Sequence, residues 1–212
     1  MFPRFNFISG SAGRNKIAIL IITKHLLVKY LSFFLLAGLC TLTACQNINK
    51  KNSPPEEILK AAAKDPGANA GANKFNIDAP AGWQKIDTSI NGITFTFLLA
   101  PTADNAFRAN INVISQSMSD SSPESYFDRN ISSMGQYLQN FSPGTQGEKQ
   151  INGQRAKLMH YSHTQGGHDL DGVFYIIPKD GIAYVITFTV AKGLLSKYQA
   201  PLEEALRSFR IN

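Results

Sequence analysis

Three dipeptides with the chemistry of tight turns, Asn91-Gly92, Asn152-Gly153 and Asp180-Gly181, constrain the fold of this chain more than any other feature. Asn, Asp and Gly tolerate the left-handed backbone that two-residue hairpin loops demand, so each pair marks a chain reversal of the hairpin kind. The runs beside them alternate as strands do. Residues 93–99 place Ile93, Phe95 and Phe97 on one face and Thr94 and Thr96 on the other, and 108–115 set Ala109, Ile111 and Val113 against Asn110 and Asn112. Phe75 and Ile77 open the series as a short strand stopped by Pro80, and four more strands are expected over 145–151, 154–163, 171–178 and 182–190.

Two segments change the period. Ser121-Ser-Pro-Glu124 reads as a helix start, with Ser121 as N-cap and Glu124 completing a capping box, followed by Phe127, Ile131, Met134 and Leu138 at helical spacing. Residues 194–209 close the chain as a second helix with Leu195, Tyr198, Leu202, Leu206 and Phe209 on one side; Pro201 inside it predicts a kink or a late start. Strands, one helix, hairpins and a terminal helix make an α+β domain, a central antiparallel β-sheet flanked by helices, and exclude a parallel doubly wound sheet.

Residues 30–44 are an uncharged, mostly apolar run behind a cationic stretch with Lys24 and Lys29. The run is short for a bilayer-spanning helix, which needs about 20 residues, and suits the apolar region of a secretory signal. It ends in Leu42-Thr43-Ala44-Cys45, which resembles the bacterial lipobox: the peptidase needs small side chains before the cut, and the Cys45 thiol accepts diacylglycerol. Cys40, preceded by bulky Leu39, is a poor competitor. Residues 1–44 are therefore expected to be a removed leader, and 28–45 would make a compact signal by themselves if Val28 were the true start. Gln46 after the cysteine resembles the outer-membrane pattern, in which the lipid anchors the protein facing the periplasm. With Cys45 modified, no thiol is left in the folded part, so neither a disulfide framework nor a cysteine nucleophile is available.

Residues 45–73, the lipidated cysteine and a stretch rich in Asn, Lys, Pro, Ala and Gly without aromatics, read as a tether, leaving 74–212 as one domain. A flexible coil of that length has an r.m.s. reach of roughly 30 Å. The formal charge of +6 comes mostly from the leader. Five basic and no acidic residues precede Cys45, leaving 16 Lys and Arg against 15 Asp and Glu. Nucleic acid is excluded as a partner on that near-neutral balance.

The densest polar cluster is His160-Tyr-Ser-His163-Thr-Gln-Gly-Gly-His168-Asp169-Leu-Asp171. A hairpin through Gly166-Gly167 would bring His163 and His168 together beside Asp169, a donor set that zinc or copper accepts. His160 and His163 point to opposite faces of one strand, so only one of them can join, and a solvated hairpin end is the alternative. Trp83 can serve as a binding anchor or simply cap the sheet edge. Arg108 beside Asn110 and Asn112 offers a polar face for a carboxylate or sugar, or a hydrogen-bonded surface under a helix. Glu203-Glu204 are expected as a solvated pair on the terminal helix. No Gly-x-Ser-x-Gly elbow, His-Glu-x-x-His helix or phosphate-binding loop occurs in 45–212. The expectation is a non-enzyme without catalytic residue, cofactor or metal centre.

Several motifs in concert resemble the PsbP-like superfamily, including its DcrB-like bacterial lipoproteins. They are Phe75-Asn-Ile-Asp-Ala-Pro80 with Gly82-Trp83, Phe95-Thr-Phe97, Ala109-Asn-Ile-Asn-Val113, Gly153 leading a long hairpin, Tyr184, and Ser208-Phe209-Arg210. The resemblance implies the α+β sandwich already read from the hairpins, and non-enzymatic roles ranging from photosystem II subunits to a yeast Ran-binding protein and envelope lipoproteins. The combined expectation is a protein held to the membrane through Cys45 that binds another envelope protein or assists its assembly. A periplasmic carrier of a small ligand or metal, using the hairpin from His160 to Asp171, is the alternative.

Overall fold

The computed structural model describes residues 63–64, 67–119 and 121–212. Cys45, its recognition residues Leu42, Thr43 and Ala44, and Val28 lie outside them. The elements run β1 (Phe75–Asn76), β2 (Gln84–Ile90), β3 (Ile93–Leu99), β4 (Asn110–Ser117), α1 (Pro123–Tyr137), β5 (Gln139–Ile151), β6 (Gln154–Gln165), β7 (His168–Lys179), β8 (Ile182–Ala191), α2 (Gln199–Ser208) and β9 (Arg210–Ile211). All three expected turns form: Asn91, Asn152 and Asp180 sit at φ near 50°, each followed by a glycine of positive φ. They join β2 to β3, β5 to β6 and β7 to β8 in a seven-stranded antiparallel sheet of order β2-β3-β4-β8-β7-β6-β5.

The sheet is apolar on both faces because each is covered by a helix. On one face Leu98, Ile111, Ile186 and Phe188 pack with Leu202, Leu206 and Phe209 of α2. Pro201 falls in the first turn of α2, where a missing N–H is harmless, so the helix starts late rather than kinking. On the other face α1 lays Phe127 on Phe174, ring centroids 5.3 Å apart, and Tyr126 Oη donates to Gln116 Oε1 at 2.7 Å. The N-cap of α1 is Ser122, not Ser121: Ser122 Oγ accepts from Ser125 N at 3.1 Å with Pro123 opening the helix. Ser121 Oγ instead accepts from Arg129. The buried stripe is Tyr126, Phe127, Asn130 and Met134, while Ile131 and Leu138 are only half-buried. The stripe is thus rotated from the expected one and carries a polar residue inward.

Three segments depart from expectation. Polar β2 pairs along all of β3 and forms one edge of the sheet. Phe75–Asn76 does not join that sheet but clasps the C-terminus, pairing with Ile211 and Arg210, while Asp78 N donates to Ser208 Oγ at 2.8 Å. Residues 67–73, expected as the end of a tether, are docked on the domain. Ala68 bridges to Gln116, Gly71 N donates to Ser115 Oγ, and the Asn69 side chain bonds Gly92 O and Thr94 N at 2.7 Å each. Small residues permit this approach: a Cβ on Gly71 would lie 2.9 Å from both Ile182 and Tyr184. Among the described residues no helix is long and apolar enough to cross a membrane.

Candidate functional site

Strand parity and register assemble a groove beside α2. His160 and Leu158 share a face of β6 and stand opposite Val173 and Tyr175 of β7, and Val173 stands opposite Phe188 of β8. This gives an apolar floor with one imidazole at its rim. α2 forms the wall with Gln199, Leu202 and Glu203, the preceding turn adds Leu195 and Ser196, and Lys149 of β5 closes the side; the groove measures about 340 Å³. Lys149 Nζ and Glu203 Oε1 are 2.5 Å apart, both side chains about a third exposed, so the rim carries a neutralised pair. Tyr175 is 4% exposed, and its hydroxyl, which makes no hydrogen bond among the described residues, is open to the groove. Burial, with a smaller contribution from the Glu203 charge, pushes this phenol up to about 12, so it stays protonated.

Of the terminal-helix carboxylates, expected as a solvated pair, Glu204 is exposed and Glu203 is only half-exposed. Glu203 is tied to Lys149, and Glu204 accepts from Ala81 N at 3.2 Å.

The turn before α2 is fixed from outside. Asp104 accepts from Lys197 at 2.7 and 2.8 Å and from Tyr198 Oη at 2.5 Å, and these two donors hold its carboxyl below the usual range. Burial and that carboxylate push Tyr198 up to about 12. Trp83 is half-buried edge-on against Tyr198, centroids 5.9 Å apart, capping the domain rather than standing out as an anchor. Arg108 turns its Nε to Ala100 O. Asn110 and Asn112 are 0% and 5% exposed, so the polar face beside Arg108 is buried on the α1 side of a central strand and is not open to a ligand.

The histidine hairpin forms as expected about Gly166-Gly167, but β7 already begins at His168, so His168 and Asp169 point to opposite faces. His168 stands against Phe107, centroids 6.1 Å apart, while Asp169 accepts from Thr164 Oγ1 at 2.9 Å. His163 faces the α1 side, stacked on Tyr161, with Nε2 3.2 Å from Gln165 Oε1 and Nδ1 unpartnered. His160 lies on the groove face. No three His, Cys, Asp or Glu side chains converge as a metal site among the described residues. The groove residues Tyr175 and Gln199 escaped the reading of the sequence because they lie far from the histidine cluster along the chain; strand parity around His160 was the signal available.

His163 makes a testable pH dependence. Burial holds its pKa below the ordinary 6.5, against smaller upward pushes from Gln165 and Asp171. The unfolded chain therefore binds the proton first on acidification. The contribution of neutral His163 is complete above about pH 6.5 and is lost as pH falls toward the folded value, with a slope of at most about 1.4 kcal/mol per unit. Urea midpoints between pH 7.5 and 5 should fall for the wild type and stay flatter for His163→Phe. Equal slopes would remove His163 as the cause.

No protein-family model and no curated protein matches the chain. Solved structures do. LpqN of Mycobacterium tuberculosis, involved in cell envelope biogenesis, is 14% identical at a TM-score of 0.51, over 70% of this chain and 87% of that one. The Saccharomyces cerevisiae Ran-binding protein Mog1p is 12% identical at 0.48, over 66% and 91%. PsbP (CyanoP) of Synechocystis sp. PCC 6803 is 13% identical at 0.45, over 66% and 93%. The likeness to LpqN is one of fold: an α+β domain built on an antiparallel sheet.

Proposed function

We propose that this chain is a lipid-anchored envelope protein, acylated at Cys45, whose PsbP-like domain binds another envelope component or assists its assembly without catalysis. The groove between α2 and strands β5–β8 carries this reading. It joins an apolar floor to polar groups in fixed positions, the usual make-up of a binding site. The Leu42-Thr43-Ala44-Cys45 motif supports the anchor, and the fold shared with LpqN, itself involved in cell envelope biogenesis, agrees with an envelope setting. A DcrB-like lipoprotein of the outer membrane, facing the periplasm, is the specific form proposed.

Anchoring raises the effective concentration of the domain near its target. Crosslinking and pull-down of the full chain from membranes, wild type beside Cys45→Ser, tests the reading. The expected result is a specific envelope component recovered with the wild type and lost with Cys45→Ser. Recovery of the isolated protein alone from both would overturn it.

A further inference from the structure

We infer that the groove beside α2 takes an uncharged amphiphile, a hydrocarbon body carrying a hydroxyl or amide head; this deepens the binding role proposed above and rests on it. Three observations point to that chemistry. The floor, from Leu158 and Val173 across to Phe188 and Leu202, is hydrocarbon and aromatic edge, which favours an apolar body.

The second is the buried phenol. Tyr175 is more than nine-tenths buried, lines the groove and has no partner for its hydroxyl among the described residues. The hydroxyl oxygen is not among the fully buried unpartnered atoms, so it reaches the groove, where one uncharged polar group on a ligand can pair with it. Because burial keeps the phenol protonated, it can donate to a ligand oxygen.

The third is charge. The lining holds one ammonium and one carboxylate, Lys149 and Glu203, already joined at 2.5 Å beside the single imidazole of His160. A charged head would have to break that pair in a half-buried place, whereas a neutral one leaves it whole. Size selects a small body over a protein surface. About 340 Å³ is at the lower end of small-molecule sites, roughly 300–1,000 Å³, and 11 residues line it, where a stable protein interface uses about 20–30 on each side.

The test uses the full chain on phosphatidylcholine vesicles with a photoreactive monodecanoylglycerol, reading labelled peptides by mass spectrometry. Label is expected on residues 158–175 and 195–203, competed by unlabelled monodecanoylglycerol and not by equal decanoate or decylammonium. Tyr175→Phe keeps the ring and removes the hydroxyl, and should weaken labelling about three- to tenfold. Gln199→Trp fills the mouth from an exposed position and should abolish it. Equal competition by the charged amphiphiles, labelling unchanged in Gln199→Trp, or no label in these segments would each overturn the inference. If the membrane pull-down recovers its envelope component with the wild type while the wild-type groove stays unlabelled, the ligand assignment fails and the proposed function stands.

Discussion

Gly172→Ala is expected to lower the melting temperature by roughly 10–15 °C, about 3–5 kcal/mol for a domain of this size. The reason is a cross-strand stack without slack. Tyr161 on β6 stands opposite Gly172 on β7, and Gly172 stands opposite Thr189 on β8. The Tyr161 ring lies across the glycine and reaches Thr189 with its hydroxyl. A Cβ at 172 would sit 2.4 Å from the ring carbon Cζ and 2.7 Å from Oη. Tyr161 would have to leave, giving up its stack on His163 at 5.4 Å and its contacts with Phe141 and Phe174 near 6 Å. An aromatic residue folded over a cross-strand glycine is a known way of covering that backbone, so the pair acts as a unit. The check is a double-mutant cycle. Gly172→Ala should cost under about 1 kcal/mol in a Tyr161→Ala background, because the cost lies in the clash. The same cost in both backgrounds would show that the glycine is needed for its own backbone and not for the tyrosine.

Most of this sheet could be read from the sequence because its strands are reversed by Asn-Gly and Asp-Gly pairs, whose backbone preference is local. What could not be read depended on partners distant in sequence. β2 has polar residues at Lys85, Asp87 and Ser89 and is largely exposed, so its composition does not look like a strand; the Asn91-Gly92 turn needs a strand before it as well as after, and that was the neglected signal. Residues 67–73 have the composition of a coil, yet Gly71 and Ala68 are small for another reason, close packing on β4 and β8. Composition cannot separate the two uses.

The site was harder to read than the fold. The histidine cluster drew attention to the hairpin end, where parity then separated its members: His163 and His168 to one face, Asp169 and His160 to the other. Only His160 reached the groove. Trp83 and Arg108 are chemically conspicuous in the sequence, and both are engaged by their own domain, against Tyr198 and Ala100 O. The groove instead draws on β5, β6, β7, β8 and α2, which no spacing along the chain brings together. Tyr175 stands out only once the fold places it in the groove lining with its hydroxyl open to that space.

The β5–β6 hairpin grips α2 beside that groove, and this yields the second large effect. Helix C-termini leave carbonyls without intrahelical partners. Here Asn152, in the hairpin turn, donates its Nδ2 to Leu206 O and Arg207 O at 3.1 Å and to Phe209 O at 2.6 Å. One turn residue therefore holds a left-handed backbone, φ 49°, and caps a helix more than 50 residues away. Three substitutions separate the roles. Asn152→Gly keeps the turn and loses the cap, an expected loss of about 1–2 kcal/mol. Asn152→Ala loses the cap and strains the turn, about 2–4 kcal/mol. Asn152→Asp keeps the turn but aims an acceptor at three carbonyls, so it should fall at or below the glycine variant. Urea midpoints order the three. A harmless Asn152→Gly would show that α2 is held by its apolar face alone. A costly one means that the hairpin fixes α2 at two points, Asn152 at its end and Lys149 on Glu203 midway, and holds the wall of the groove in place. On that geometry Asn152→Gly should also weaken amphiphile labelling at 195–203 without touching a groove residue.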